Sequence, residues 1–465
     1  MSTTIPRPLA AGWAPPPSFE QLVAEGRARQ ARVPRESLAH LSVTDREPMS
    51  ILDAQDAERV PELVPLRAER MGSSAFAFFR GTAALMAADL SRSERTDLLV
   101  GSCGDAHVAN FGLYASPQRT LVFDLNDFDE SAWAPWEWDL KRLVTSLVIA
   151  GRASSRSETV IETAALSAVR TYAGALADGA RRGPLGRYFE RFDPASAAHG
   201  TPAARDALRT AMKDAEKRTA DRTVRKLTTV SEGGRRTFVE NPPTTTHVDV
   251  AIEQGVVDLF DDYVRSANVD IRALMQSYAV SDVVRRVVGV GSVGTRCYLI
   301  LMQDGDGEAF VLQAKEAGAS TLIEDGHVEQ PEPITRFIRT YGEGGRVVAM
   351  QRILQAVSDP FLGHLRRTFA DGRPDRHFYV RTFHDMAAGF DAETLDDDAF
   401  GWYADACAAT LARAHGQSPG AGAIVGYIGS GRVVSAAILA WAQAYADLSA
   451  SDWRVFRRRR GIADG

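Results

Sequence analysis

The sequence GDAHVANFG occupies residues 104–112, between two short apolar segments at residues 98–100 and 120–123 that are predicted to be strands. Its glycines and polar residues predict a loop. A loop between two short strands can direct the side chains of Asp105 and Asn110 into one cleft. An aspartate can orient a hydroxyl and accept its proton, and an asparagine amide oxygen is a suitable ligand for Mg²⁺. The stretch therefore predicts the position of a chemical centre.

An acidic run follows this loop, with NDFDE at residues 126–130 and Asp124 shortly before it. Carboxylates this close together repel one another unless a cation or arginine partners relieve them. A divalent cation is one explanation of the cluster, and metal-free Asx turns are the other. His107 is either a catalytic group or a residue that braces the loop through a hydrogen bond. The candidate metal ligands are Asn110, Asp127, Asp129 and Asp124.

The loop resembles the catalytic loop of the aminoglycoside phosphotransferase and choline kinase branch of the protein-kinase-like superfamily, usually written HGDxHxxN. Cys103 stands where that pattern has its first histidine, whereas the aspartate and the asparagine are in place. The resemblance implies a transfer of phosphoryl groups from ATP with Mg²⁺ as cofactor. The catalytic residues that it implies are Asp105, His107, Asn110 and Asp127.

Residues 126–140 resemble a second stretch of the same branch, written IDWxDA…PxYDL. Asp127 and Asp139 lie twelve residues apart, which is similar to the spacing of the two aspartates in that stretch. This resemblance implies that Asp127, rather than Asp124, is the counterpart of the metal-binding aspartate in the kinase DFG motif.

The chain as a whole resembles a family of uncharacterised bacterial proteins, the DUF2252 family. Four stretches carry this resemblance, and they are RAERMGSSAFAFFRG at 67–81, GDAHVANFG at 104–112, NDFDE at 126–130 and WDLKRL at 138–143. The resemblance covers most of the chain but implies no established activity.

The sequence GVGSVG at residues 289–294 fits the pattern GxGxxG. Residues 295–302 read as a strand rather than a helix, which favours the kinase type of glycine loop over a Rossmann turn. Lys315, in VLQAK, then resembles the β3 lysine of kinases, although a hairpin with glycine bulges and a surface lysine is the alternative. Its glutamate partner is not identifiable. The predicted nucleotide-binding residues are Gly289, Gly291, Ser292, Gly294 and Lys315, and the candidate partners are Glu329, Glu332 and Glu343.

The order of these motifs is inverted, because in kinases the glycine loop precedes the catalytic loop. The segment CAATLARAH at 407–415 resembles the helix that comes just before the catalytic loop in phosphotransferases. We therefore predict an α+β, two-lobed, protein-kinase-like fold that is circularly permuted, with the catalytic lobe first and the glycine-loop lobe second. The predicted units are an N-terminal arm (1–65), a catalytic helical lobe (66–245) with an inserted mobile segment near 180–245, a β-rich nucleotide-clamping lobe (246–390) and C-terminal helices that return to the catalytic lobe (391–465).

Several arginines are candidates for binding phosphate, because a guanidinium matches phosphate in bidentate fashion. These candidates are Arg67, Arg70 and Arg80, which alternatively neutralise the acidic run. Arg142 is predicted to form a structural ion pair, and Arg381 and Asp385 are candidates to line the cleft.

Composition restricts the class of protein. The net charge of −6 argues against nucleic acid as the main partner. The three cysteines are far apart, which excludes a disulfide framework or a CxxC metal site and suits a reducing compartment. No signal peptide or transmembrane stretch is recognisable, so we expect a cytoplasmic protein without a membrane partner.

The expected function is an ATP- and Mg²⁺-dependent transfer of a phosphoryl group to a hydroxyl of an unknown acceptor. Two alternatives stay open. One is a nucleotide-binding pseudokinase or a nucleotidyl transferase, and the other is a metal-dependent hydrolase that uses the Asp/His cluster.

Overall fold

The computed structural model describes residues 16–191, 201–287, 289–369, 374–383 and 386–462, and it is a mixed α+β fold with antiparallel sheets. The α-helices are α1 (Phe19–Arg29), α2 (Pro48–Ala57), α3 (Val64–Gly72), α4 (Ala75–Arg80), α5 (Ala83–Ser91), α6 (Trp136–Ala153), α7 (Glu158–Arg181), α8 (Gly183–Tyr188), α9 (Pro202–Lys217), α10 (Ala220–Leu227), α11 (Val250–Ser266), α12 (Val269–Met275), α13 (Thr321–Glu324), α14 (Glu332–Leu354), α15 (Asp397–Gly416), α16 (Ala421–Ile428) and α17 (Arg432–Arg460). The strands are β1 (Leu99–Ser102), β2 (Phe111–Ala115), β3 (Leu121–Leu125), β4 (Ala132–Pro135), β5 (Thr228–Val230), β6 (Arg236–Phe238), β7 (Thr245–His247), β8 (Ala279–Arg286), β9 (Cys297–Gln303), β10 (Ala309–Ala317), β11 (Gly363–Arg367), β12 (Arg376–Thr382) and β13 (Ala388–Gly389).

The largest sheet has six antiparallel strands in the order β11-β12-β10-β9-β8-β7. Strand β9 is apolar along most of its length because both of its faces are covered. Alternation sends Ile300 and Met302 into the hydrophobic cluster beneath α11, and Leu299 and Leu301 into a second cluster on the opposite face. The sheet therefore has an outer face under α11 and an inner face toward the rest of the chain.

Helix α6 is the centre of the helical part and is buried on nearly all sides by α7, α15 and α17. Its charged side chains are accommodated by specific partners. The carboxylate of Glu137 accepts hydrogen bonds from the backbone N–H of Thr96 at 2.8 Å and from its hydroxyl at 2.7 Å. The ammonium of Lys141 lies 4.7 Å from the centroid of the Trp441 ring, and burial lowers the pKa of Lys141 to about 8.

Strands β1 to β4 position the loop at residues 104–110. Strand β1 pairs with β4, and β2 forms an antiparallel hairpin with β3. The loop lies between β1 and β2, and β1 corresponds to the strand predicted at residues 98–100. The end of α15 lies beside β1, because the backbone N–H of Gly101 donates to the hydroxyl of Ser418 at 2.9 Å.

The first and last helices of the described chain, α1 and α17, pack against other helices. Helix α1 crosses α16 closely, and a Cβ added at Gly26 would lie 1.8 Å from the carbonyl oxygen of Ala423. Among the described residues, α17 is the one helix long and apolar enough to cross a membrane, and 56% of that apolar window is buried inside the fold. The predicted arm includes residues 1–15 and the predicted mobile segment includes 192–200, both outside the described residues.

Candidate active site

The backbone of the loop at residues 104–110 is fixed by one buried carboxylate. Asp139, at the start of α6, accepts hydrogen bonds from the backbone N–H groups of Cys103 at 2.9 Å and Gly104 at 3.0 Å. Its oxygen also lies 3.2 Å from His415 Nε2. Burial acts to raise the pKa of Asp139, but the hydrogen bonds to its charged form lower it. Gly104 has φ of +78°, and a Cβ there would lie 2.3 Å from the carbonyl oxygen of Glu130.

Asp105 is partly exposed and is the central carboxylate of the loop. Arg142 Nε donates to one of its carboxylate oxygens at 2.6 Å, and His107 Nε2 lies 3.6 Å from the other. The Asn110 amide N–H donates to the backbone carbonyl of Asp105 at 2.9 Å, and the amide oxygen takes no part in this hydrogen bond. Burial raises the pKa of Asp105 although Arg142 and Arg80 oppose the shift. Burial and the same two arginines hold the pKa of His107 well below its usual value, which favours the neutral imidazole.

Lys315 is in direct contact with the acidic run. It lies on β10 beside Cys297 of β9 and Tyr379 of β12, on the inner face of the six-stranded sheet. Its ammonium forms a short ion pair with Asp129 and lies 3.9 Å from a carboxylate oxygen of Asp127. The Tyr379 hydroxyl donates to Asp129 at 2.8 Å. Two segments far apart in the sequence therefore form one charged centre.

The pKa values of this centre follow from burial and from the pairing of its charges. Burial acts against the charged form of Lys315, but the two carboxylates hold its pKa well above the usual value. Burial likewise acts to raise the pKa of Asp129, yet Lys315 and Tyr379 lower it. The pKa of Asp127 is raised by burial and by the charge of Asp129, against the effect of Lys315.

The glycine loop between β8 and β9 lies against the segment that joins α2 to α4. Its carbonyl groups are hydrogen-bonded by that segment: Arg70 Nη1 donates to Gly289 O at 2.7 Å, and the backbone N–H of Val60 donates to Gly294 O at 2.8 Å. Both glycines have positive φ, which explains why the turn requires glycine there. Within the turn, the carbonyl of Ser292 accepts the hydroxyl of Thr295 at 2.8 Å.

Gly291 lies against the end of helix α4, because a Cβ there would lie 3.3 Å from the carbonyl oxygen of Arg80. The positive charge of Arg80 acts to lower the pKa values of both Asp105 and His107. Its Nε is buried and has no hydrogen-bond partner within the part of the chain that the structure describes. Arg80 thus lies between the glycine loop and the loop that carries Asp105.

Two predicted residues have partners away from this centre. Asp124 is buried in β3, where one carboxylate oxygen accepts the backbone N–H of Ala356 at 2.7 Å, and burial raises its pKa. Arg67 is buried as well, and its Nη1 donates to Asp56 at 2.6 Å. The structure therefore brings Asp105, Asp127, Asp129 and Lys315 together, and it places these two residues in separate polar contacts.

The candidate glutamate partners of Lys315 do not form its ion pairs. Glu343, in α14, instead pairs with Arg346, and Glu332 pairs with Arg336 at 2.7 Å on the exposed part of the same helix. Arg346 is buried and donates from Nη2 to the backbone carbonyl of Asp129 at 2.8 Å. The acidic run therefore receives both an ammonium from the sheet and a guanidinium from α14.

Tyr379 is a polar group of the site that the sequence did not indicate, whereas Glu130 belongs to the acidic run that the sequence offers as a source of metal-binding carboxylates. Tyr379 is two residues before Arg381 in β12, so strand alternation places both on the inner face once the strand is recognised. The Arg381 Nη1 donates to the carbonyl of Asn126 at 3.2 Å. Burial raises the pKa of Glu130 to about 7, although the backbone N–H of Thr321 donates to it at 2.9 Å. Asp385 lies outside the described residues.

The oxygen donors of Asn110 and Asp127 fit a hard cation that is completed by phosphates. The two residues lie at the same end of one hairpin, because Phe111 pairs with Leu125 and the backbone N–H of Asn126 donates to the carbonyl of Asn110 at 3.1 Å. In the described ranges, no three side chains of His, Cys, Asp or Glu are grouped as a metal site would require. Mg²⁺ typically uses only one or two carboxylates together with substrate phosphates, so two protein donors suffice. Burial and the charge of Asp129 raise the pKa of Asp127, and a bound cation would act in the opposite direction.

Comparison with known proteins gives one match. The family described as "Uncharacterized protein conserved in bacteria (DUF2252)" matches residues 59–459, which contain every residue of the site. No curated protein and no solved structure matches the chain.

Proposed function

The chain belongs to the DUF2252 family, and for this member we propose an ATP- and Mg²⁺-dependent phosphotransferase activity toward a hydroxyl-bearing acceptor. The observation that carries the proposal is the meeting of Lys315 with Asp127 and Asp129. In protein kinases a strand lysine and a metal-binding aspartate face each other across the nucleotide cleft in the same way. We further propose that the protein acts in the cytoplasm.

The order of elements in the six-stranded sheet supports a kinase-like lobe. The glycine loop follows β8, Lys315 lies on β10, and α14 follows after the four-residue helix α13. Protein kinases have a glycine loop, a lysine strand and the helix αC in this order. Here the ion-pair partner of the lysine comes from the acidic run, whereas a glutamate of αC has that role in active kinases. The helix α14 contributes Arg346 instead, which holds the backbone of Asp129.

The contact between α15 and β1 supports a circular permutation. Helix α15 ends at Gly416, and Ser418 accepts a hydrogen bond from Gly101 two residues before Cys103. His415 reaches Asp139, the residue that fixes the loop backbone. In a kinase-like chain that is not permuted, this helix would lead directly into β1 and the catalytic loop. The contact between Ser418 and Gly101 lies at the position of that connection.

Each residue has a distinct role in the proposed reaction. Bound ATP with Mg²⁺ would supply the γ-phosphoryl group and neutralise its charge. Asp105 orients the acceptor hydroxyl and receives its proton, and Asp139 holds the loop that carries Asp105. Asn110 and Asp127 are the protein ligands of the cation. Lys315 exchanges its bond to Asp129 for the phosphates, which a flexible ammonium can do because it is a point charge.

A second candidate is nucleotide binding without phosphoryl transfer. The observation that favours it is the 2.6 Å hydrogen bond from Arg142 to Asp105, which occupies one oxygen of the proposed base. A guanidinium there lowers the basicity of the carboxylate. The two candidates differ in turnover, since both require Lys315 and Asp127 for binding but only the phosphotransferase requires Asp105 for product formation.

The test combines nucleotide binding with turnover. A ligand that binds only the folded state raises the melting temperature. We expect ATP with Mg²⁺ to raise it in the wild type, and Lys315→Met and Asp127→Asn to abolish the rise. Asp124→Asn is the matched control, because Asp124 binds Ala356 rather than Lys315. ADP release that is lost in Asp105→Asn supports phosphoryl transfer, and binding with no release supports the second candidate. No rise with wild type at millimolar ATP contradicts both.

A further inference from the structure

We propose a second ligand site on the outer face of the six-stranded sheet, where a cavity of about 270 Å³ takes the aliphatic chain of a carboxylate. The cavity is bounded by α11 on one side and by β9, β10 and β12 on the other. Its volume approaches the lower end of small-molecule sites. The proposal does not depend on the function proposed for the cleft.

The floor of the cavity consists of apolar side chains that point away from the cleft. Ile300 and Ala314 line it from β9 and β10, and Phe378 and Val380 line it from β12. Lys315 is the next residue after Ala314 and points to the inner face, because side chains alternate along a strand. The sheet therefore separates the cavity from the charged centre.

Helix α11 covers the cavity without filling it. Tyr263 is the one residue that α11 buries fully, and the structure describes this helix throughout. The apolar side chains of Ile252, Val256 and Phe260 line the cavity and are only half buried. A helix of seventeen residues usually buries more of its apolar face against a core. The vacant space beneath α11 therefore has the apolar walls that a hydrocarbon chain requires.

The rim of the cavity is positively charged. Arg296, Arg367 and Arg376 line it. Glu316 accepts hydrogen bonds from Arg376 at 2.6 Å and from Arg296 at 3.1 Å, so one carboxylate is shared by two guanidinium groups. Arg367 has no acidic partner in the described part of the chain, and its guanidinium lies 5.1 Å from the centroid of the Phe369 ring. The rim thus carries an excess of positive charge.

Gly255 lets the guanidinium of Arg367 lie against α11 at the rim. A Cβ at this position would be 3.1 Å from Arg367 Nη1 and 3.3 Å from its Cζ. Glycine is less favourable than alanine in a helix interior, and here its missing Cβ leaves room for the close approach of Arg367. The position of Arg367 matters for the ligand, because a guanidinium binds a carboxylate with two parallel hydrogen bonds.

The combination of apolar walls with a cationic rim defines the chemistry of the ligand. A hydrocarbon chain fills the space between α11 and the sheet, and its carboxylate lies at Arg367 and beside Arg296. A neutral chain would not supply the acidic partner that Arg367 lacks among the described residues, and a short carboxylate would leave the apolar walls empty. An aliphatic carboxylate satisfies both parts of the site.

The test uses dodecanoate below its micellar concentration, with dodecanol as the neutral comparison, in titration calorimetry on the full chain. We expect dodecanoate to bind the wild type at least tenfold more tightly than dodecanol. Val256→Trp fills the cavity and should abolish binding, whereas Val257→Trp, on the exposed side of α11, should retain it.

A second pair of variants tests the rim independently of the cavity. Arg367→Gln should weaken dodecanoate binding at least fivefold, and Arg366→Gln should not, because Arg366 pairs with Asp375 at the exposed surface. Equal affinity for dodecanoate and dodecanol, or unchanged binding in Arg367→Gln, would overturn the proposal even if Val256→Trp failed to fold. If ATP does not bind at the Lys315 site, the expected results for dodecanoate stay the same, so the two proposals can fail separately.

Discussion

Replacement of Lys315 by methionine removes the positive charge from the centre of the site while keeping most of the apolar volume of the side chain. The variant leaves two adjacent carboxylates, Asp127 and Asp129, without their ammonium partner. Breaking a buried ion pair by removal of one partner costs about 3–5 kcal/mol, because the remaining charge is not compensated. The Asp127 and Asp129 side chains keep 31% and 23% exposure, so we expect the low end, about 3 kcal/mol at pH 7.5.

The pH dependence of this loss has a defined sign. The raised pKa of Lys315 gives stability that is fully present below the pKa of an unfolded lysine, so pH 5 to 7.5 is on the plateau. In the variant, burial and mutual repulsion raise the pKa of the carboxylates, and acid protonates one of them. The difference in free energy of unfolding between variant and wild type should therefore shrink from pH 7.5 to pH 5.

Urea unfolding at the two pH values measures this difference. Lys217→Met is the matched control, because Lys217 forms an exposed ion pair with Asp214 at 3.1 Å within one helix. Such a pair contributes little, so the control should unfold like the wild type. A loss below about 1 kcal/mol in Lys315→Met at pH 7.5, or a loss that grows toward pH 5, would refute the reasoning.

Three further changes test the surroundings of the site. Gly104→Ala should lower the free energy of unfolding by at least about 2 kcal/mol, because the position has φ of +78° and no space for a Cβ, whereas Gly305→Ala, with open space around it, should not. In the wild type, the raised pKa of Glu130 should lower the free energy of unfolding by up to about 3 kcal/mol as pH rises from 4.5 through about 7. Glu130→Gln should abolish this decrease, as measured by urea unfolding across that range. Asp139→Asn removes the charged acceptor of two loop N–H groups, so amide exchange at Cys103 should accelerate; unchanged exchange would contradict its role.

Much of the local structure at the site could be predicted from the sequence. The strand predicted at residues 98–100 is β1, and the strand predicted at 120–123 is β3. The strand predicted at residues 295–302 corresponds to β9. These features depend on neighbouring residues, so turn chemistry and apolar periodicity suffice to recognise them.

The pairing between distant segments could be predicted only in outline. The resemblance to kinases suggested that Lys315 and Asp127 share a cleft, but it pointed to a glutamate as the main partner of the lysine. The bond from Tyr379 to Asp129 and the contact of His415 with Asp139 join residues more than two hundred positions apart. No spacing rule encodes such contacts, because they depend on how the sheet and the helices pack together.

The role of Arg142 illustrates the same limit. The sequence predicts that it forms an ion pair, and it does so, but its partner is Asp105 rather than a carboxylate of its own helix. Helix periodicity places Arg142 three residues after Asp139, on the side of α6 that faces the loop. Which carboxylate it meets depends on the path of the loop, which Asp139 and Gly104 determine through long-range contacts.

The central claim is that nucleotide phosphates lie between the inner face of the sheet and the loop that carries Asp105. A crystal structure of the full chain with Mg²⁺ and a non-hydrolysable ATP analogue measures this directly. We predict phosphate oxygens within hydrogen-bonding distance of Lys315 Nζ and a cation bound to Asp127. A nucleotide bound elsewhere, with Lys315 still paired to Asp129, would contradict the account.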